Sequence, residues 1–262
     1  MTHFFRPLAV RAARRACYAA PKRAGLVLAL AAVCHTPAAQ ATLVDRGGGM
    51  LYDTVLDVTW LADANYARTS GYDADGRMTL AAARQWVDNL AYGGFSDWRL
   101  PSIGRVGAEG LNIFSYDGTT DVGYNITSPR SELSYMYYVN LGLVGEYNPD
   151  GTHRDDWGVF GNGTLNGVDG NSYGERDVGP VRNLNAFIYW SGSTVLPTSS
   201  AVFTLHTSIG IQGLNGPNGL NYAWAVRSGD VLPVAEPATA LLAALGLGST
   251  AALRRRRVTT FR

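Results

Sequence analysis

The chain has few cysteines and few charged residues. Its 262 residues contain two cysteines, Cys17 and Cys34, and charged side chains make up 16% of the sequence, whereas glycine occupies 31 positions. Because both cysteines lie near the amino terminus, the sequence argues against a disulfide scaffold in the rest of the chain. It argues equally against a cysteine-ligated metal or a cysteine nucleophile there.

Basic residues are concentrated at the two ends of the chain. Residues 42–253 carry 11 basic and 21 acidic side chains, a net charge of −10, although the whole chain has a net charge of +1. A protein that binds nucleic acid needs a basic face to neutralise phosphates. The charge balance of the central region therefore argues against nucleic acid as a partner.

Motifs for catalysis and for nucleotide binding are scarce. Two histidines, His153 and His206, lie between residues 42 and 230, and their separation is not that of a zinc site. The sequence has no P-loop and no Gly-x-Gly-x-x-Gly after a strand. The sequence leaves a Ser-His-Asp catalytic triad as an alternative, because the order of its members along the chain differs between folds. The sequence nominates no catalytic residue, so we expect a protein that is not an enzyme.

The first 41 residues have the pattern of a secretory signal peptide. Six basic residues precede Gly25–Val33, an apolar run of nine residues that is too short to span a bilayer. Ala39 and Ala41 then supply the small residues of a cleavage site. We expect export and cleavage after Ala41.

The last 32 residues have the pattern of a membrane anchor. After a linker at 231–237, residues 238–253 carry no charge, and four arginines follow them. As a helix, the uncharged segment would be about 24 Å long, slightly short for a hydrocarbon core of about 30 Å. The positive-inside rule predicts that the basic tail 254–262 stays in the cytoplasm and that the central region lies outside the membrane.

This carboxyl-terminal arrangement resembles the PEP-CTERM sorting signal of Gram-negative bacteria that make exopolysaccharide. The family has Pro-Glu-Pro where this chain has Ala235, Glu236 and Pro237. The resemblance implies that an exosortase removes the transient inner-membrane anchor and that the protein reaches the cell surface or the extracellular matrix. The residues that carry the signal are Ala235, Glu236, Pro237, Arg254, Arg255, Arg256 and Arg257.

Residues 42–230 are predicted to form one α+β domain. Thr79 is a helix cap, and Leu80, Ala83, Val87 and Leu90 follow at helical spacing. A second helix is predicted to open at Ser128-Pro129 and to carry Leu133, Met136, Tyr137 and Leu141. Strand-like runs lie at 51–52, 55–60, 186–190, 201–206 and 222–226, which favours an antiparallel sheet. Residues 145–185 are rich in glycine, asparagine and aspartate, and we expect a long irregular loop there.

The central domain resembles the Lcl C-terminal domain family. Leu51-Tyr52-Asp53, Val58–Leu61, Gly93–Ser102, Tyr189–Gly192 and Tyr222–Arg227 carry the resemblance. It implies a C-type-lectin-like fold of the kind found in formylglycine-generating-type domains, and a link to glycan binding. We interpret the motif residues as structural: Asp97, Trp98, Arg99, Leu100, Pro101, Tyr189, Trp190, Trp224 and Arg227.

A ligand site is predicted in the 145–185 loop, at Tyr147, Asp155, Asp156 and Trp157. An aromatic ring stacks on the C–H face of a sugar, and neighbouring carboxylates accept its hydroxyl hydrogens. The alternative is that Trp157 pins the loop to the core. Asp73 and Asp75 are weak candidates for calcium ligands, although the twelfth position of an EF-hand loop starting at Asp73 would be an arginine. Calcium is the one cofactor that these patterns allow.

The sequence therefore favours a non-catalytic extracellular or surface protein of the exopolysaccharide matrix, with glycan binding or adhesion as its activity. Two alternatives remain. One is an exported hydrolase that acts on matrix polymers, and the other is a purely structural matrix protein without a ligand.

Overall fold

The computed structural model describes residues 43–106, 111–165, 173–195 and 201–231. The predicted signal peptide 1–41, most of the linker at 231–237, the sorting helix and the basic tail lie outside the described residues. Within those residues, no helix has both the length and the apolar character needed to cross a membrane.

The described residues form an α+β domain with mostly antiparallel sheets, as the sequence predicts, and with three short helices where two were expected. The helices are α1 (Tyr66–Thr69), α2 (Leu80–Asp88) and α3 (Glu132–Tyr135), and a π-helical turn at Met136–Asn140 continues α3. The strands are β1 (Leu43–Asp45), β2 (Met50–Asp53), β3 (Val58–Leu61), β4 (Arg77–Met78), β5 (Ile113–Ser115), β6 (Val122–Gly123), β7 (Glu175–Val178), β8 (Val181–Asn185), β9 (Ile188–Thr194), β10 (Val202–His206), β11 (Ile211–Asn215), β12 (Asn221–Tyr222) and β13 (Val226–Ser228).

A four-stranded sheet joins the beginning and the end of the domain. Its order is β1-β2-β3-β13, and every pair is antiparallel. All four residues of β3 are buried, and the ring centroid of Trp60 lies 4.9 Å from that of Trp224. The pairing of β3 with β13 therefore holds residues that are far apart in the chain against one shared core.

A seven-stranded sheet forms the second layer, in the order β4-β12-β9-β10-β11-β6-β5. The central pairs β9–β10 and β10–β11 are antiparallel, whereas β12–β9 and β5–β6 are parallel. Tyr189 and Trp190 are neighbours on β9 and point to opposite faces, yet both are fully buried. The middle of this sheet is thus covered on both sides.

Helix α2 begins where the sequence predicts. The Thr79 hydroxyl accepts a hydrogen bond from the Ala82 amide at 3.3 Å, which satisfies one of the free donors of the first turn. All four apolar positions of the predicted stripe are buried: Leu80, Ala83, Val87 and Leu90.

Helix α3 begins at Glu132, four residues after the predicted start at Ser128. Its inner side carries polar groups as well as the predicted apolar ones, because Ser131 and Ser134 donate hydrogen bonds to the buried Gln212 side chain of β11. The periodicity of apolar residues in the sequence does not reveal this hydrogen-bond network.

The 145–185 segment is less irregular than predicted. It ends in the antiparallel hairpin β7–β8, and Tyr147 forms an isolated antiparallel bridge with His153. The short helix α1 was also not predicted. Four residues are too few for a helical period to show in a sequence.

A candidate ligand surface of aromatic side chains

Asp97 and Arg99 attach the 97–101 segment to the last strand of the domain. Arg227 donates two hydrogen bonds to the Asp97 carboxylate, Nε to Oδ1 at 2.8 Å and Nη2 to Oδ2 at 2.9 Å. These bonds hold the pKa of Asp97 below its usual value. Arg99 and Val226 exchange both of their backbone hydrogen bonds. Asp97 and Arg227 thus pair with each other at the edge of the four-stranded sheet.

Besides its backbone bonds to Val226, Arg99 pairs through its side chain with a buried carboxylate that the sequence did not indicate. Its Nη1 and Nη2 atoms donate to the two carboxylate oxygens of Glu132, both at 2.7 Å. Glu132 Oε2 also accepts from the Ser102 amide at 2.6 Å. Since Glu132 is the first residue of α3, this carboxylate attaches the motif segment to that helix.

The remaining motif residues lie in the core. Trp190 Nε1 donates to the Met78 carbonyl, and Trp224 Nε1 donates to the Leu61 carbonyl, both at 2.7 Å. Burial raises the pKa of the Tyr189 hydroxyl, which accepts from the Asn185 amide at 2.9 Å. The motif aromatic side chains therefore serve packing, with their polar atoms satisfied inside the fold.

Asp73 and Asp75 close a turn before β4. Asp73 Oδ1 accepts from the amides of Asp75 and Gly76, and Asp75 Oδ1 accepts from the amide of Arg77. Across residues 43–231, apart from the three undescribed gaps, no cluster of three or more His, Cys, Asp or Glu side chains could hold a metal ion. The structure thus gives both aspartates a role in the turn.

The four predicted ligand residues occupy different environments. Tyr147 is half-buried, Asp155 and Asp156 are exposed, and Trp157 is only 7% exposed. Arg154 donates two hydrogen bonds of 2.8 Å to Asp156 and lowers the pKa of that carboxyl. Because the Trp157 ring is covered, it has no open face for stacking on a sugar. Its position matches the alternative in which it pins the loop to the core.

Tyr147 belongs to a chain of aromatic side chains that reaches the surface. We call this group the aromatic surface, and its members are Phe114, Tyr116, Tyr124, Tyr147 and His153. The ring centroids of Tyr116 and Tyr147 are 5.0 Å apart, and those of Tyr147 and His153 are 5.5 Å apart. Phe114 is 47% exposed, and its centroid lies 5.1 Å from that of Tyr116. The group presents several linked rings to solvent.

Asn125 fixes the two loops that carry this surface. Its Nδ2 atom donates to the Tyr116 carbonyl at 2.7 Å and to the Tyr147 carbonyl at 2.9 Å. Asn125 adopts a φ of 57°, a left-handed conformation that asparagine tolerates better than most residues. Gly118, at φ 78°, lies against the Asn125 carbonyl oxygen, where any Cβ would clash. The rings are therefore positioned by backbone geometry.

Polar groups surround the rings of the aromatic surface. Tyr124 donates to Glu146 Oε2 at 3.1 Å, and His153 Nε2 lies 3.4 Å from Glu146 Oε1. Burial and the nearby Glu146 carboxylate raise the pKa of the Tyr124 hydroxyl. Arg154 Nη1 donates to Asn148 Oδ1 at 2.7 Å beside them. Flat apolar faces and fixed hydrogen-bonding groups thus occur together, a combination that suits a sugar ring.

Sequence reasoning located Tyr147 but missed the other members of the aromatic surface. Phe114 and Tyr116 come from a segment before α3, about 30 residues from Tyr147. Their spacing of two residues would have placed both rings on one face of a strand. The pairing of that segment with the 145–154 loop has no local signal.

A Ser–His pair also occurs next to the loop that carries Glu146, whose amide donates to the Ile209 carbonyl at 2.9 Å. Ser208 Oγ lies 2.5 Å from His206 Nδ1. Burial lowers the pKa of the His206 imidazole to about 4. Ser208 is only 2% exposed, and none of the hydrogen bonds or ion pairs found for His206 in the described part of the chain involves a carboxylate. A polymer substrate has no access to this hydroxyl, so the pair is not arranged as an open catalytic triad.

The chain matches no family model, no curated protein and no solved structure. Functional inference therefore depends on the residues and geometry of this chain itself.

Proposed function

We propose that the protein is a non-catalytic module of the extracellular polysaccharide matrix that binds glycans through the aromatic surface. One observation carries the proposal: Phe114, Tyr116 and Tyr147 form a linked set of partly exposed rings next to the half-buried Glu146 carboxylate. Exposed aromatic rings on a soluble domain are costly unless a partner covers them.

The chemistry of the aromatic surface fits a carbohydrate. The rings offer negative faces to the C–H groups of a sugar, and Glu146 and His153 supply hydrogen-bonding groups beside the rings. Because Asn125 holds both loops by hydrogen bonds to their carbonyls, little ordering is needed when a ligand binds. A rigid surface of this kind gains affinity by avoiding an entropic cost.

The sequence supports the proposed location. A signal peptide at 1–41 and a PEP-CTERM-like signal at 235–257 are expected to deliver the precursor to the inner membrane of a Gram-negative bacterium. An exosortase would then release the protein to the cell surface or matrix, where glycans are the surrounding material.

We further propose that the domain is a member of the Lcl C-terminal family with a C-type-lectin-like fold. The support is that the family-motif residues join segments distant in sequence: Arg99 reaches Glu132, and Asp97 reaches Arg227. The antiparallel pairing of β3 with β13 also brings the two ends of the domain into one sheet.

A glycan array tests the function. The purified protein should bind a subset of oligosaccharides, and Tyr147→Ala and Tyr116→Ala should each weaken binding about tenfold, which corresponds to about 1.4 kcal/mol. Tyr52→Ala is the matched control, because Tyr52 is a half-buried tyrosine on β2 outside the aromatic surface. It should leave binding unchanged.

A panel of polysaccharide hydrolase substrates tests the alternative. We expect no turnover. Turnover that a single carboxylate substitution abolishes would overturn the binding-module proposal in favour of an exported hydrolase.

A further inference from the structure

A cleft of about 400 Å³ lies between α1 and the end of α2. Tyr66 and Tyr72 line it together with two buried apolar residues, Trp86 and Leu90. Tyr72 is 49% exposed. We call this feature the tyrosine cleft. Ser70 and Asn89 add polar groups to its wall.

One wall of the tyrosine cleft is rigidly supported. The Tyr66 ring packs edge-on against Tyr92 with centroids 4.9 Å apart, and Tyr92 packs edge-on against the buried Trp98 at 6.0 Å. Tyr92 in turn donates from its hydroxyl to the Gly48 carbonyl at 2.7 Å. The Tyr66 ring is therefore held in place before any ligand arrives.

The polar groups of the cleft have unused hydrogen-bonding capacity. In the described part of the chain, the hydroxyls of Tyr66 and Tyr72 form no intramolecular hydrogen bond. Asn89 Nδ2 donates to the Gln85 carbonyl at 2.8 Å, which fixes the side-chain amide and leaves its oxygen as an acceptor. Two phenol groups and one amide oxygen thus face a cleft with an apolar floor.

The lining distinguishes the tyrosine cleft from the aromatic surface by charge. Among the described residues that line the cleft, none is charged, whereas Glu146 and His153 stand against the aromatic surface. An uncharged lining favours an uncharged ligand, because no charged side chain in it would offset the negative charge of a ligand carboxylate or sulfate.

The sheet order separates the two features. Tyr72 lies on the connection that leads to β4, and Phe114 lies on β5, and these strands are the two edges of the seven-stranded sheet. Six interstrand spacings correspond to roughly 29 Å at about 4.8 Å each. One sugar ring cannot contact both features.

We propose that the tyrosine cleft is a second saccharide-binding site, specific for a neutral sugar. The proposal rests on the proposed glycan-binding function and deepens it. The stacking partners are the Tyr66 and Tyr72 rings, and the hydroxyl partners are the two phenols and the Asn89 amide oxygen. A domain with sites at opposite edges of a sheet holds two glycan segments at once.

Calorimetric titration with neutral hexasaccharides tests the second site. The probes are cellohexaose, xylohexaose, mannohexaose and maltohexaose, added to the wild-type protein and to Tyr72→Ala, Asn89→Ala and Tyr147→Ala. At least one probe should bind, and Tyr72→Ala and Asn89→Ala should each weaken that binding about tenfold or more, whereas Tyr147→Ala should leave it intact. Thermal melting of Tyr72→Ala and Asn89→Ala should match that of the wild type, because Tyr72 and Asn89 are exposed.

The opposite results separate this inference from the proposed function. If a probe binds and only Tyr147→Ala weakens it, the tyrosine cleft is not a binding site, while glycan binding at the aromatic surface stands. If no neutral probe binds, the inference is overturned, and the glycan array alone decides the proposed function. Replacement of Tyr72 by phenylalanine keeps the ring and removes one hydroxyl partner, so it should weaken binding less than Tyr72→Ala does. A loss as large as that of Tyr72→Ala would contradict the proposed stacking contact.

Discussion

Replacing Trp98 by alanine should destabilise the domain strongly. Trp98 is 3% exposed, its ring packs edge-on against Tyr92, and it lies beside Arg99, which shares two backbone hydrogen bonds with β13. Its burial therefore supports the joint between the two ends of the domain. Removing it leaves a large cavity under that joint.

The size of the loss follows from the buried area. A buried tryptophan removes about 150–250 Å² from water, and at about 25 cal/mol per Å² this gives roughly 4–6 kcal/mol as an upper value. Measured tryptophan truncations in cores cost about 3–5 kcal/mol. The Trp98 Nε1 bond to the Tyr92 carbonyl is long, at 3.4 Å, and adds little.

Chemical and thermal denaturation measure this prediction. A loss of about 3–5 kcal/mol lowers the melting temperature by about 6–20 °C in a domain of this size. Trp98→Phe is the matched control, because it keeps a ring in the same space and should retain more than half of the stability that alanine loses. If Trp98→Ala melts like the wild type but loses glycan binding, the segment is a binding site and its structural assignment is wrong.

Two further predictions concern the pH dependence of stability and the processing of the chain. His206 has a pKa lowered by burial from 6.5 to about 4, so the unfolded chain takes up a proton first as the pH falls. The free energy of unfolding should then decrease by up to about 1.4 kcal/mol per pH unit between pH 6.5 and 4. In urea titrations at several pH values, His206→Asn should remove this pH dependence of the free energy of unfolding. If the variant shows the same pH dependence as the wild type, burial does not lower the pKa of His206. At the ends of the chain, intact mass of the released protein should show cleavage after Ala41 and near Glu236, and Glu236→Ala should leave the precursor in the inner membrane. A released form that retains the terminal arginines would contradict the sorting assignment.

Local patterns were sufficient for several elements of this protein. Thr79 and the apolar residues that follow it predicted α2, because a cap and a helical stripe involve neighbours within one or two turns. The alternation of Asp97, Trp98, Arg99 and Leu100 predicted which of these side chains are buried, since successive residues of an extended segment point to opposite sides. The α+β class and the positions of β2, β3, β9 and β10 followed in the same way, although residues 55–57 form a turn and not the predicted start of β3. The strands β1, β4–β8 and β11 were not predicted.

Other features depended on contacts between distant segments. The Glu132 partner of Arg99 is 33 residues away, and no spacing rule connects them. The acidic, glycine-rich sequence around Trp157 suggested a ligand contact, yet the fold buries the Trp157 ring. Burial is a property of the packed layers, and a residue's neighbours in the chain do not determine it.

The sequence by itself predicts the two terminal signals, and it determined the α+β class and the start of α2, because each depends on short-range composition and periodicity. Only the tertiary structure decided which side chains are grouped at the surface. It brought Phe114, Tyr116 and Tyr147 together from two separate segments held by Asn125, and it formed the open cleft between Tyr66 and Tyr72. Such groups of side chains form when long-range strand pairing brings separate segments together. The free energy of that pairing depends on interactions throughout the domain, and no short stretch of sequence contains it.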